Sequence, residues 1–595
     1  MKRWSILALC ALAACNDGTG PSEGGEVPSN VVITPGQARL VAVGDTMRLR
    51  AGLYSTFGSP LSAGAVTWTV ADPDVFTIDQ SGLVTGTRAP AVGRAIATIG
   101  GHADTAYVVV ADPDASPCLG YSPPIALAVG QAMTVSLTDA ACIASAGGGD
   151  EYIIVPWQGS MIGEATLTLE VTGSGLSTLP TPSASRSAGT RTVGGPVRSF
   201  EFERGLRELS RRELMPLART ARDAFTPRQT SEARGAAVPA YLAVGDLVRL
   251  NAAVSSACTL PSMRTGRVAA ITSRAIVVHD TANPAGGFTD ADYQRFAVTF
   301  DTLVAPVADA AFGAPTDIDV NGKVVIFFTR AVNELTPAGS GFFYGGFFHP
   351  RDLLPQTYFG EPFCPGSNER EMFYMLVPDP DGLVNGNART AGFVDTLTIG
   401  TLAHEHQHLV NFARRVYVNG AFADEDVWLN EGLSHIAEEL VFHRASGTAP
   451  RQNLGGERFG TQPYDELFTR YMAPNFGRLR VFLEDPQSSS PYSSYDDLGT
   501  RGAVWAFLRY AADRRGSGDG DVWMRLVNST SFGFHNLADV FGPGVLQMMH
   551  DWSLSMYTDD HVPGVVATHV DPSWNFRTAY PARPAAAGPF PLVNA

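Results

Sequence analysis

The sequence predicts a multidomain protein in which all-β modules precede an α+β domain. Three observations carry that expectation. At 595 residues the chain is too long for a single core, and three or four domains are expected. Between residues 31 and 176, short runs alternate apolar with polar residues and are cut by Gly, Pro and Asp turns. From about 240 onward, strands such as GRVAAIT and KVVIFFT come first and helices follow, the order of an α+β domain. Apolar content of 45% against 17% charged is that of folded material. The formal net charge of −16 excludes a nucleic-acid binder, because phosphate neutralisation needs clustered Lys and Arg. No apolar run reaches the roughly 20 residues of a membrane-spanning helix.

The first residues, MKRWSILALCALAACNDGTG, combine a positive start with a short apolar stretch and small residues running into Cys15. This resembles the lipobox of bacterial lipoproteins, which implies acylation at Cys15, a membrane anchor through it, and display at the outer membrane, the cell surface or the periplasm. An ordinary secretory signal is the alternative. The expected order is a signal peptide at 1–15, a tether at 16–30, a first β module at 31–110, and a second at 111–176. A linker or pro-segment follows at 177–238, then the main domain at 239–575 and a tail at 576–595. In 31–110 the order "GDTMRLRA…AVTWTVADPDVFTID-QSGLVTG" resembles group 2 bacterial immunoglobulin-like domains, with Trp68 as the buried tryptophan. In 177–238, FEFERGLRELSRRELMPLARTARDAF is expected to form an isolated polar helix or part of a pro-segment. Cys118, Cys142, Cys258 and Cys364 remain after the leader. Outside the cytoplasm they are expected to form two disulfides. Of three possible connectivities, Cys118–Cys142 and Cys258–Cys364 keep each pair within one domain.

The chemistry lies in TLAHEHQHLVNFAR, residues 401–414. Residues i and i+4 of a helix share a face, so His404 and His408 present two imidazoles to one point, with Glu405 beside them. This HExxH pattern offers two neutral nitrogen ligands for zinc and a carboxylate that accepts a proton from water. His406, about 200° around from His404, is expected to face elsewhere. A catalytic zinc requires a third protein ligand. The following helix, DEDVWLNEGLSHIAEELVFHRASG, carries Glu431, 23 positions after His408. Asp424 or Asp426 is expected to cap its start, and Gly447 to end it.

WLNEGLS resembles the second signature of the glutamate-zincins, and over roughly residues 265 to 560 the chain resembles the hyicolysin-type metallopeptidases. That resemblance rests on TLAHEHQHLVNF, VWLNEGLSHIAEEL, FGAPTDIDVNGKVVIFFTRAVNEL and GSNEREMFYMLVPDPDG. It implies an α+β thermolysin-like metallopeptidase domain following the immunoglobulin-like modules, with zinc held by His404, His408 and Glu431. Glu405 is then general base and acid, and the expected activity is hydrolysis of proteins or peptides by a monomeric zinc endopeptidase. His435 departs from the thermolysin-like pattern, where an aspartate often orients a ligand histidine; Glu438 is the expected substitute. For the oxyanion, Tyr495 is the first choice and Tyr492 and His550 are competitors, each with a packing role as alternative. Asp317, Asp319 and Asn321 open a D-x-D-x-N-G stretch that is either a calcium loop or a tight turn; its twelfth position is Phe328, so it is not an EF-hand. GSGFFYGGFFHP is either an edge that pairs with extended substrate or an aromatic core hairpin, and His349 beside it is expected to be structural. The rival reading is an adhesion or binding protein whose peptidase-like domain is inactive.

Overall fold

The computed structural model describes residues 28–55, 60–62, 64–111, 125–135, 152–157, 201–225, 242–254, 258–259, 261–340, 342–493, 496–516, 518–583 and 588–592. The chain divides into two compact units, residues 1–128 with 132–177 and residues 129–131 with 178–595. The first is sheet-rich and the second is dominated by helices around a six-stranded sheet.

In the first unit a four-stranded sheet runs Gln37–Leu40, His102–Val110, Ala91–Ile99, Thr67–Val70, and two smaller sheets accompany it. Alternation does the work expected of it: along Ala91–Ile99 buried residues recur at every second position. Trp68 is buried among Leu49, Phe76 and Ala97. Its backbone N–H and C=O are both taken by the side chain of Gln80, at 3.1 and 3.0 Å. Of the second β module only 125–135 and 152–157 are described, and residues 126–135 and 152–157 form no strand.

In the second unit, α1 (Glu201–Leu209) runs through a π turn at Ser210–Leu214 into α2 (Met215–Phe225). This is the polar helix expected in the linker, but it is not isolated. Leu206, Leu214, Met215, Ala218 and Ala221 are buried in the unit's two core clusters. The sheet comprises β1 (Leu247–Asn251), β2 (Met263–Ile271), β3 (Ala275–Asp280), β4 (Val324–Phe328), β5 (Gly346–Phe348) and β6 (Met372–Met375), in the order β1-β2-β3-β4-β6-β5. β3, β4 and β6 are parallel neighbours, and β5 pairs antiparallel at the edge. The parallel β3–β4 step needs a crossover, supplied by α3 (Asp290–Thr299) and α4 (Ala305–Phe312). Helices therefore intervene among the strands rather than only following them. The stretch expected as a hairpin, GSGFFYGGFFHP, supplies the single edge strand β5.

Behind the sheet lie α5 (Ala391–Ala413), α6 (Val427–Ser446), α7 (Ala473–Glu484) and α8 (Leu498–Asp513). Phe576, Ala579 and Tyr580 of the helix Phe576–Ala582 join the same core, so the unit continues beyond residue 575. Cys258 and Cys364 are disulfide-bonded, while Cys118 and Cys142 lie outside the described residues. No helix among the described residues is long and apolar enough to cross a membrane.

Candidate metal centre

α5 begins where the Thr390 side chain accepts the Phe393 N–H, and from Leu402 to Ala413 every residue of it is buried. α6 starts after Asp426, whose side chain makes no capping bond, and ends at Gly447 in the left-handed conformation, φ 69°. Asp424 instead accepts a hydrogen bond from Ser210 Oγ at 2.5 Å. Gly432 lets α8 come close, since a Cβ there would stand 2.7 Å from Val504 Cγ2. That approach brings Arg501, near the start of α8, onto Glu431.

The two helices bring His404, His408 and Glu431 together, with one donor atom from each lying within 4.8 Å of the others. His404 Nε2 is 3.1 Å from His408 Nε2 and 3.3 Å from Glu431 Oε2. The opposite ring nitrogens are held in turn: His404 Nδ1 is 2.8 Å from Glu438 Oε1, and His408 Nδ1 is 3.1 Å from Asn430 Oδ1. Asn430 Oδ1 also accepts from Asn411 Nδ2 at 2.8 Å, so the His408 proton sits on Nδ1 and its Nε2 lone pair is directed at the site. Carboxylate or amide partners of this kind orient metal-binding imidazoles, and two imidazoles with one carboxylate match the donor set of an open zinc site. A second triad, His404, His435 and Glu438, also meets the distance requirement. There Glu438 Oε1 already bridges His404 Nδ1 and His435 Nδ1, at 2.8 and 3.0 Å, and the geometry favours it as a positioning carboxylate.

Electrostatics divides the groups. Burial pushes His408 well below its ordinary range, to the neutral form a metal requires. For His404 burial is outweighed by Glu431 and Glu438, which raise it to about 10. Glu431 is held well below the carboxylate range despite burial, chiefly by Arg501. Burial lifts Glu405 to about 7, a value suited to exchanging protons near neutrality. Glu405 lines one cavity with His404, His408, Glu431 and Gly346 of the edge strand. Gly346 is required there: a Cβ would lie 2.7 Å from Tyr374 O and 3.0 Å from Glu405 Cγ.

Two arginines at this centre had not been expected from the sequence. Arg207, from α1, donates through Nη2 to Glu431 Oε1 at 2.7 Å and lies 3.4 Å from His408 Nε2. Arg501 Nη1 stands 3.1 Å from Glu431 Oε2, and the same guanidinium pairs with Asp496 and Glu203. An arginine inside the apolar run of α8 is a signal that a buried counter-charge exists; Arg207, in a uniformly polar segment, carries none.

His406 faces away as expected. It is buried edge-on against Phe300 at 5.0 Å, and burial lowers it to about 4. His349 is buried and accepts the Arg351 N–H at 3.2 Å, a structural role. Tyr495 lies outside the described residues. Tyr492 packs against Phe534, ring centroids 4.7 Å apart, and His550 contacts Gln547 and Asp551 on its own helix.

No family model matches the chain. Over 222 residues it is 31% identical to the neutral metalloprotease ShpI of Staphylococcus hyicus. The matched stretch is 34% of this chain and 47% of that protein, so the chain spans about half the length of the curated relative it matches. The similarity to a metalloprotease and the His/His/Glu cluster both point to a metal ion, and the donor set to zinc.

Proposed function

We propose that the chain is a zinc-dependent peptide hydrolase of the thermolysin-like kind, carried on immunoglobulin-like modules and anchored outside the cytoplasm through Cys15. The observation that supports it most is the convergence of His404, His408 and Glu431, each imidazole oriented from behind, beside a buried Glu405. Zinc held by those three groups would polarise a peptide carbonyl and make water acidic enough to lose a proton near neutrality. Glu405 takes that proton and returns it to the leaving amine. Glu438 and Asn430 keep the ligand nitrogens aimed, and Arg501 holds Glu431 ionised. The outer edge of β5, which pairs with no further strand among the described residues, would offer backbone groups to an extended peptide next to Glu405.

The test is zinc content together with casein hydrolysis in wild type and Glu405→Gln. Loss of hydrolysis with zinc retained supports the reading. Undiminished hydrolysis in the variant removes Glu405 from its role, and a zinc-loaded wild type inert on every peptide favours the binding-protein reading.

A further inference from the structure

A second cluster of ligating groups lies away from the zinc ligands, where the Asp317–Gly322 turn enters β4 and Glu371 precedes β6. The two strands are parallel neighbours, with Val325 opposite Met372. Oxygens of Asp317, Asp319 and Glu371 lie within 4.8 Å of one another. Glu371 is 1% exposed. Its Oε1 accepts from Thr316 Oγ1 and Ile318 N, both at 2.9 Å, whereas Oε2 has no hydrogen-bond partner among the described residues. A buried carboxylate oxygen without a partner is costly unless a cation meets it. Lys323 does not: its Nζ donates to Thr272 O and Ser273 O, at 2.6 and 2.9 Å.

We propose that Asp317, Asp319 and Glu371 hold a structural calcium ion that ties the entry of β4 to the start of β6. The donors are all hard oxygens, the chemistry of calcium or magnesium rather than zinc. Calcium tolerates the irregular geometry that two turn carboxylates and one strand carboxylate impose, whereas magnesium demands a near-ideal octahedron. The carboxylate that an EF-hand loop carries at its twelfth position, where this chain has Phe328, comes here from the neighbouring strand.

The test uses the full chain freed of calcium and resupplied with zinc, its thermal midpoint followed as calcium chloride is added. Calcium is expected to raise the midpoint of wild type by about 3 °C, as for a ligand present at about 100 times its dissociation constant, and to leave Glu371→Gln unmoved. Without calcium the variant is expected to be at least as stable as wild type, because it removes a buried carboxyl whose charged form burial disfavours. Asp319→Asn, at a less buried position, serves if Glu371→Gln does not fold. No shift in wild type, or an equal shift in the variant, overturns the proposal.

A different observation carries a second inference, which rests on the zinc reading. Phe202 packs edge-on against Phe347 of the edge strand at 5.6 Å and against Tyr344 at 5.1 Å, while Glu203, Leu206 and Arg207 line the cavity of Glu405 and Glu431. We infer that α1 holds the chain latent, lying across the edge where substrate would pair while Arg207 competes with zinc for Glu431. In the full chain, Arg207→Ala is expected to bind zinc at least tenfold more tightly, measured against a chromophoric chelator, and to hydrolyse casein faster. Equal zinc affinity and equal rates in both proteins would refute the latency alone. No zinc uptake by either would refute the metal reading and the latency with it.

Discussion

The two buried clusters of the second unit solve the same electrostatic problem in opposite ways. At His404, His408 and Glu431 the chain supplies its own positive charge: Arg207 and Arg501 both reach Glu431, and Glu438 is shared by two imidazoles. At Asp317, Asp319 and Glu371 one carboxylate oxygen is left without a hydrogen-bond partner among the described residues, and burial works against the charged forms of Asp319 and Glu371. Burial, opposed by Arg370 and aided by Asp317, lifts Asp319 to about 6; burial, opposed by the Ile318 N–H and aided by Asp319, lifts Glu371 to about 8. On the proposed reading, the first cluster exchanges an internal cation for zinc and the second takes a cation from solution.

The comparison is sharpened first at Glu405, the one carboxylate of the first cluster assigned to proton transfer. Glu405→Gln is expected to lower casein hydrolysis by about a thousandfold while zinc content, measured by atomic absorption, stays at the wild-type level. Next is the internal compensation itself. Arg501→Met leaves Asp496 and Glu203 without their guanidinium and Glu431 with Arg207 alone, and is expected to destabilise the chain by about 3–5 kcal/mol in urea unfolding. Added zinc should restore part of that loss, since a cation would again face Glu431; a variant as stable as wild type would show that the guanidinium is not needed there.

How much of this was legible in the sequence depends on the range of the contact. His404, His408 and Glu405 share one helix, where spacing dictates the face. Glu431 and Glu438 share the next, and each could be matched or counted along it. Cys258–Cys364 followed from keeping each disulfide within one domain. Glu371 was not legible, because it meets Asp317 and Asp319 only once β6 pairs beside β4 in the sheet. Nor was Arg207, which reaches Glu431 across 224 positions from a segment whose composition suggested only a linker.

A milder effect is expected at Glu438. Glu438→Gln leaves His404 without a carboxylate behind it and is expected to weaken zinc binding about 10–100-fold, read by chelator competition; unchanged affinity would reduce Glu438 to a packing residue. The smallest effect concerns pH. A carboxyl whose folded pKa is raised, as Glu371 is from an ordinary 4.5 to about 8, contributes stability that is present below its unfolded pKa and lost as pH rises through the folded value. Without calcium, the thermal midpoint of wild type should therefore fall relative to Glu371→Gln between about pH 5 and pH 8. With calcium the difference should vanish or reverse, and parallel curves under both conditions would break the contrast between the two clusters.

The most direct measurement is the zinc-edge X-ray absorption or anomalous diffraction of the zinc-loaded chain. The account predicts one ion bound by His404 Nε2, His408 Nε2 and a Glu431 carboxylate oxygen, with Arg207 displaced from Glu431. Zinc found instead on His404 Nδ1, His435 and Glu438, with the Arg207–Glu431 pair intact, would contradict it.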